Sequence, residues 1–297
     1  MLKGISAGIA AGALWGLVFI APRMAAGLSS VDLAAGRFVS YGLFAALAML
    51  ATLQSGRLPT PRQALFAFGM SVLGFTGYYL LLVLAIHDLG TELPTLIIGT
   101  IPLWVMLLGK PQRLSWAALL PGLVLTAGGL WLMMDVTRAA DVGGPPGAYW
   151  RGVFFAVAAM ACWTAFAIWN SAWLKRHPEV NATDWANWLG VATGLGALAL
   201  WAAAGTESKV LMALDERAFA AIVCIATGIG SAWVATVLWN VASQRLSASL
   251  CGQLIVSETL FALLYAFAWD GHWPAATQTL ACILFVCGIL ISIKAHR

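Results

Sequence analysis

Residues 4–20, GISAGIAAGALWGLVFI, lie over residues 152–168, GVFFAVAAMACWTAFAI, without a gap when the chain is slid against itself by 148 positions. Six of the seventeen positions are identical, among them Gly4 over Gly152 and Trp15 over Trp163. A shift of 157 brings Leu89 over Leu246 and Thr100-Ile101-Pro102 over Ser257-Glu258-Thr259. The quoted stretches are apolar and approach the roughly 20 residues that a helix needs to cross about 30 Å of hydrocarbon. Matching runs in the same order point to a duplicated membrane unit.

Composition leads to the same class. Of 297 residues, 61% are hydrophobic and 9% charged, against roughly 25% charged in a soluble domain. Apolar runs between polar or Pro/Gly punctuation predict ten spans, near 4–22, 31–52, 63–86, 92–109, 114–134, 150–172, 184–204, 216–239, 244–268 and 274–293. The expected fold is therefore all-α and integral to the membrane: ten transmembrane helices as two five-helix inverted repeats. The first repeat is placed at 1–135, a periplasmic connector at 136–149 and the second repeat at 150–297. Five is odd, so the second repeat enters from the opposite face, and a pseudo-two-fold axis in the membrane plane relates the halves. That arrangement recurs in transporters, where exchanging the conformations of two similar halves turns an inward-open cavity into an outward-open one. Duplication without transport, in a scaffold or a passive channel, is the plainer alternative.

Basic residues orient the chain. With the N-terminus inside, the internal connectors hold ten Lys and Arg (Lys3, Arg57, Arg62, Lys110, Arg113, Lys175, Arg176, Arg245, Lys294 and Arg297) against five outside (Arg23, Arg138, Arg151, Lys209 and Arg217). Cytoplasmic connectors carry the excess of Lys and Arg, so both termini are expected in the cytoplasm. Lys3 ahead of an apolar run resembles a secretory leader, but the repetition of that run argues against its removal. The net charge of +4 sits in short connectors, not on one soluble face, so no nucleic-acid partner is expected. The five cysteines lie in apolar runs without metal-like spacing to the four histidines and read as small core residues. No metal and no cofactor is assigned.

Two ionisable side chains fall within predicted spans. Arg37 is close enough to the outer end of span 2 for its guanidinium to snorkel to the headgroups. Glu258 lies halfway along span 9, where a charge costs at least about 2.5 kcal/mol on insertion scales. It must face a polar cavity, carry a partner or be protonated, and three roles stay open: partner to a substrate ammonium, proton carrier, or hydrogen-bond partner inside the bundle. Aromatic residues deep in spans (Trp15, Tyr78, Tyr79, Trp104, Trp163, Trp233, Trp239) are individually more often packing than site. Trp15 and Trp163 stand apart, because equivalent positions near a two-fold axis line opposite walls of one cavity, suited to flat apolar ligands or to cations over the rings. Tyr78, Asn170 and Asn240 rank next as polar contacts, ahead of Thr100, Gln253 and Ser257, since membrane Ser and Thr often bond their own backbone. Gly4, Gly8, Gly12 and Gly16 form a row that predicts a face packed tightly against another helix. Gly74, Gly77, Pro94, Gly99, Pro102, Gly228, Gly230 and Gly252 are candidate hinge positions.

Trp15-Gly16 in span 1, Arg37-Phe38 early in span 2 and the stretch from Trp233 through Leu246 to Gly288 resemble the drug/metabolite transporter superfamily, EamA-type, and within it the bacterial exporters of aromatic amino acids. Members commonly carry Glu-Pro where this chain has Ile101-Pro102 in one half and Glu258-Thr259 in the other. The resemblance implies a bacterial inner-membrane protein that moves small solutes by alternating access without ATP.

Absences narrow the cargo. Phosphorylated solutes need several basic groups, and the spans offer Arg37 alone. Gly109-Lys110-Pro111 lacks the spacing of a phosphate loop. No span holds two groups suited to paired acid–base or nucleophilic chemistry, so an enzyme is not expected. The expected substrate-binding residues are Trp15, Tyr78, Trp163, Asn170, Asn240 and Glu258, and the expected cargo is a zwitterionic or neutral amino acid, aromatic ones included. A lipophilic cation is the alternative. The expected partners are this small-molecule substrate and the bilayer, with the protein a monomer. The orientation is testable by fusing reporters to the C-terminus: a cytosolic reporter should be active and a periplasm-dependent one silent, and the reverse pattern would overturn the placing of every connector.

Overall fold

A computed structural model describes residues 1–25, 27–51, 58–89, 92–137, 149–271 and 275–296. Among these residues the chain is helical, without strands. In chain order the segments are α1 (Leu2–Gly16, continued to Met24), α2 (Ser30–Ala51), α3 (Pro61–Leu89), α4 (Glu92–Gly99 and Ile101–Leu108), α5 (Trp116–Thr137), α6 (Tyr149–Arg176), α7 (Ala182–Ala204), α8 (Arg217–Arg245), α9 (Ala248–Asp270) and α10 (Ala276–Ala295). Eight are long and apolar enough to cross a membrane, and the protein is a multi-pass membrane protein; α4 and α5 contribute shorter apolar stretches, Leu93–Leu108 and Trp116–Leu132. The predicted connector 136–149 falls mostly outside the described residues, as do Arg57, Arg138, His272, Trp273 and Arg297.

The junction between the eighth and ninth helices differs most from the sequence reading. The eighth helix does not stop near 239 but runs to Arg245, and the ninth begins at Ala248 instead of 244. Residues 240–243 fall between two spans in sequence, yet Asn240 and Ser243 are buried and the helix continues through them. The break comes at Leu246, which is extended, and Ser247 Oγ then caps the next helix by accepting from Leu250 N at 3.1 Å. Asn181 caps α7 in the same way, its Oδ1 accepting from Asp184 N at 2.8 Å. Cys224 and Cys251 are buried as expected, whereas Cys287 is exposed on the helical surface.

Close approach through glycine organises the packing. Lipid gives helices no hydrophobic reason to associate, so contact relies on backbones fitting together. A Cβ on Gly4 would lie 2.9 Å from Leu246 Cγ, on Gly8 2.7 Å from Leu254 Cδ1, and on Gly16 2.9 Å from Ala262 N. The Gly4–Gly16 face of α1 thus packs on the end of α8 and along α9. On α6, a Cβ on Gly152 would lie 2.5 Å from Leu89 Cγ, at the end of α3. Arg151 beside it holds Asp88 through two bonds, Nε–Oδ2 at 2.7 Å and Nη2–Oδ1 at 2.8 Å. Between α2 and α7 the chains meet at Gly42 and Gly194, each with room for no side chain, and Tyr41 Oη donates to Ala186 O at 2.7 Å. Gln253 of α9 bonds Thr126 of α5 at 2.9 Å and Ser292 of α10 at 3.1 Å.

α3 and α8 share a further feature. Each has a π-helical segment in its interior, Val72–Thr76 and Gly228–Val234, after an eleven-residue α-helical run. A π-turn inserts extra residues into the helical register and rotates everything after it. It thereby sets the direction of Tyr78 on α3 and of Trp239 and Asn240 on α8.

An added Cβ at Gly194 would meet Gly42 Cα at 2.8 Å, whereas at Gly69 it meets nothing within 4 Å. Gly194→Val should therefore cost about 1–3 kcal/mol through overpacking, read as a lower melting midpoint in detergent, while Gly69→Ala leaves the midpoint unchanged or raised.

Candidate functional site

The polar side chains of the interior divide into those already bonded and those left open. Asn170 and Asn240 are fully buried and belong to the first group. Asn170 Nδ2 donates to Asn240 Oδ1 at 3.2 Å, Trp185 Nε1 donates to Asn170 Oδ1 at 2.6 Å, and Asn240 Nδ2 donates to Ala182 O at 3.2 Å. These two residues knit α6, α7 and α8 together. Thr100 and Ser257 bond their own helices, Thr100 Oγ1 to Ile97 O at 2.6 Å and Ser257 Oγ to Leu254 O at 2.7 Å, as membrane hydroxyls often do. Asp32, buried at the start of α2, accepts from Ser29 Oγ, from Trp201 Nε1 at 3.2 Å, and from Thr206 N and Oγ1 at 2.9 and 2.6 Å.

Among the ionisable side chains, Arg37, Tyr78 and Glu258 belong to the second group. They come from α2, α3 and α9, sit deep among protein atoms, and interact electrostatically with one another. Each nevertheless keeps accessible surface. Among the described residues neither Arg37 nor Glu258 makes an ion pair, and Arg37 Nε is buried without a hydrogen-bond partner. Arg37 is seven residues into α2, about 10 Å from its start at 1.5 Å per residue, and Glu258 ten residues into α9, about 15 Å. Instead of snorkelling away, the guanidinium lies 4.5 Å from the centre of the Phe38 ring, a cation–π contact. Local packing fixes both positions. A Cβ on Gly228 would lie 2.5 Å from Arg37 O, which lets the π-segment of α8 press on α2 there, and one on Gly12 would lie 3.0 Å from Glu258 N.

Aromatic rings border the same region. Trp15 and Trp163 meet edge to face with centroids 6.2 Å apart, and Trp239 stands 5.3 Å from the first and 6.1 Å from the second. From Trp163 the contacts run on through Phe166 (6.1 Å), Phe75 (5.5 Å) and Phe38 (5.9 Å) to Tyr79 (6.2 Å). Trp15 and Trp163 keep accessible surface, while Trp239 is 1% exposed with its indole N–H unbonded. The sequence reading ranked Trp239 below its two neighbours and treated Arg37 as a headgroup anchor. Only the three-dimensional meeting of α2, α8 and α9 puts both at this place. A separate apolar cleft of about 360 Å³ opens between α4 and α6 beside Trp104, Met160, Thr164 and Trp169; Arg37, Tyr78 and Glu258 do not line it.

Fold and site define a class: a multi-pass helical membrane protein whose centre holds an unpaired acid, an unpaired base and a wall of aromatic rings. Residues 2–134, the first half of the chain, match the model of the EamA-like transporter family. Nearly the whole chain is similar to the inner membrane protein YtfF of Escherichia coli (strain K12), 28% identical over 312 residues that cover 99% of this chain and 96% of that protein. A crystal structure described only as "Crystal structure of protein" shares the fold, with a TM-score of 0.80 at 19% identity over 100% of this chain and 98% of that one.

Asn170→Ala would leave Trp185 Nε1 and Asn240 Oδ1 without partners. We expect a loss of about 1–3 kcal/mol, seen as a lower melting midpoint of the purified protein. An unchanged midpoint would mean that the two amides do not hold the bundle together.

Proposed function

We propose that the whole chain is an EamA-type secondary transporter that exports amino acids, aromatic and neutral ones included, across the bacterial inner membrane by alternating access. In this reading ten helices cross the membrane as two five-helix inverted repeats, with both termini cytoplasmic. The observation that carries the architecture is a pair of exchanged contacts. Sequence alignment equates Gly4 with Gly152 and Leu89 with Leu246, and the protein packs Gly4 on Leu246 and Gly152 on Leu89. A two-fold relation between halves requires just such crossing over, each half lending its first helix to the other. The π-segments at matching places in α3 and α8 support it, as does the packing of α2 on α7.

For the cargo, support comes from the central residues. Glu258 supplies the charge to meet an ammonium group, Tyr78 a hydroxyl nearby, and Trp15 and Trp163 the faces for an apolar or aromatic side chain. The resemblance to YddG, the bacterial exporter of aromatic amino acids, favours the same class. A lipophilic cation would also suit a carboxylate among aromatic rings, but an unpaired guanidinium beside that carboxylate repels it.

Flux of labelled phenylalanine or threonine into liposomes holding the purified protein separates the two. Unlabelled amino acids should compete and ethidium-like cations should not, and Glu258→Gln should weaken amino-acid binding at neutral pH more than it lowers the melting midpoint. Cations that move and compete where amino acids do neither would contradict the assignment.

A further inference from the structure

We propose that Arg37 and Glu258 act as the two jaws of a clamp for a zwitterion, the guanidinium taking the ligand's carboxylate and the Glu258 carboxylate its ammonium. This rests on the amino-acid reading above and adds the half of the recognition which that reading leaves out. The first ground is contrast. The buried carboxylates Asp32 and Asp88 have full sets of protein partners, the one from Ser29, Trp201 and Thr206, the other from Arg151. Arg37 and Glu258, the charges nearest mid-membrane, have no ion pair or hydrogen bond among the described residues.

Spacing is the second ground. The two groups feel each other's charge yet do not touch. The carboxylate carbon and ammonium nitrogen of an α-amino acid are about 2.5 Å apart, from bonds of roughly 1.46 and 1.52 Å at Cα. With hydrogen bonds of about 2.8 Å on either side, such a ligand needs two jaws that are not paired with each other, and among the described residues no ion pair joins Arg37 to Glu258. The Phe38 ring holds the guanidinium at 4.5 Å from its centre, and Tyr78 interacts electrostatically with both jaws.

The third ground is selection. A free cation meets repulsion from Arg37 and a free anion meets it from Glu258, so the ligand that satisfies both carries one charge of each sign and no net charge. Phe75, Trp163 and Trp15, which keep accessible surface, then receive the side chain, while Phe38 and Phe166 are buried and back them through ring contacts of 5.5 to 6.1 Å. One jaw belongs to α2 and the other to α9, so the ligand joins the two ends of the chain.

Binding of three ligands to purified protein tests the clamp: phenylalanine, phenethylamine, which lacks the carboxylate, and 3-phenylpropionate, which lacks the ammonium. The wild type should bind phenylalanine about tenfold or more tighter than either, as a charge-assisted hydrogen bond commands. Arg37→Gln should lower phenylalanine affinity to that of phenethylamine and leave phenethylamine binding unchanged or tighter, which also certifies that the variant is folded. If Arg37→Gln yields no folded protein, Arg37→Lys should fold and lose phenylalanine affinity several-fold, without loss for phenethylamine. Equal weakening of both ligands, or full retention of phenylalanine, would overturn the clamp while leaving the amino-acid reading intact. A wild type that binds no amino acid would instead overturn that reading and the clamp with it.

Discussion

Inside a bilayer no water is at hand to satisfy a polar group, so each one must find a partner in the protein or remain at a cost. That constraint accounts for most of the structure. Backbone groups are satisfied by helices, and helices come together where glycine lets their backbones touch, as at Gly42 against Gly194 and along the Gly4–Gly16 face. Buried amides are used as fasteners: Asn170 with Asn240 and Trp185, and Gln253 with Thr126 and Ser292. Against that background Arg37 and Glu258 stand out, about 10 and 15 Å along their helices and without an ion pair among the described residues. A charge at the centre of a span costs about 2.5–3.5 kcal/mol on insertion scales.

The same constraint explains how helices distant in the chain come together. α1 lies on the end of α8 and along α9, and α6 lies on the end of α3. Each end of the chain thus completes the packing of the other, and a change of tilt in one set acts directly on the groups the other contributes to the centre. The π-segments Val72–Thr76 and Gly228–Val234 lie in the two helices that carry Tyr78 and Trp239 toward that centre. Their weaker backbone bonding gives those helices a natural place to bend.

Much of this was legible in the chain. The Gly4–Gly16 row announced a close-packed face because a four-residue spacing returns to one side of a helix, and the face is found on α8 and α9. Glu258 announced itself through depth, since insertion cost depends on position along a span and not on neighbours. Arg37 was harder. Its depth alone allowed an anchor at the headgroups, and nothing local says that α8 presses on α2 at Gly228 or that Glu258 arrives opposite. Asn170 and Asn240 show the opposite difficulty. A polar residue in a span looks the same in sequence whether it faces a solute or a neighbouring helix, and here both are taken up by helix–helix bonds. The π-segments left no local signature, because their glycines also serve ordinary packing.

The central claim is that a solute bound between Arg37 and Glu258 is carried by alternating exposure of one site, not let through an open path. Counterflow measures this directly. Liposomes containing the purified protein are loaded with excess unlabelled phenylalanine and diluted into a trace of labelled phenylalanine. A carrier, returning from the inside with unlabelled cargo and reopening to the outside, should drive a transient accumulation of label above its external concentration. Label that rises only to its external level, with no overshoot and no dependence on the internal load, would contradict the account and mark the protein as a passive pore.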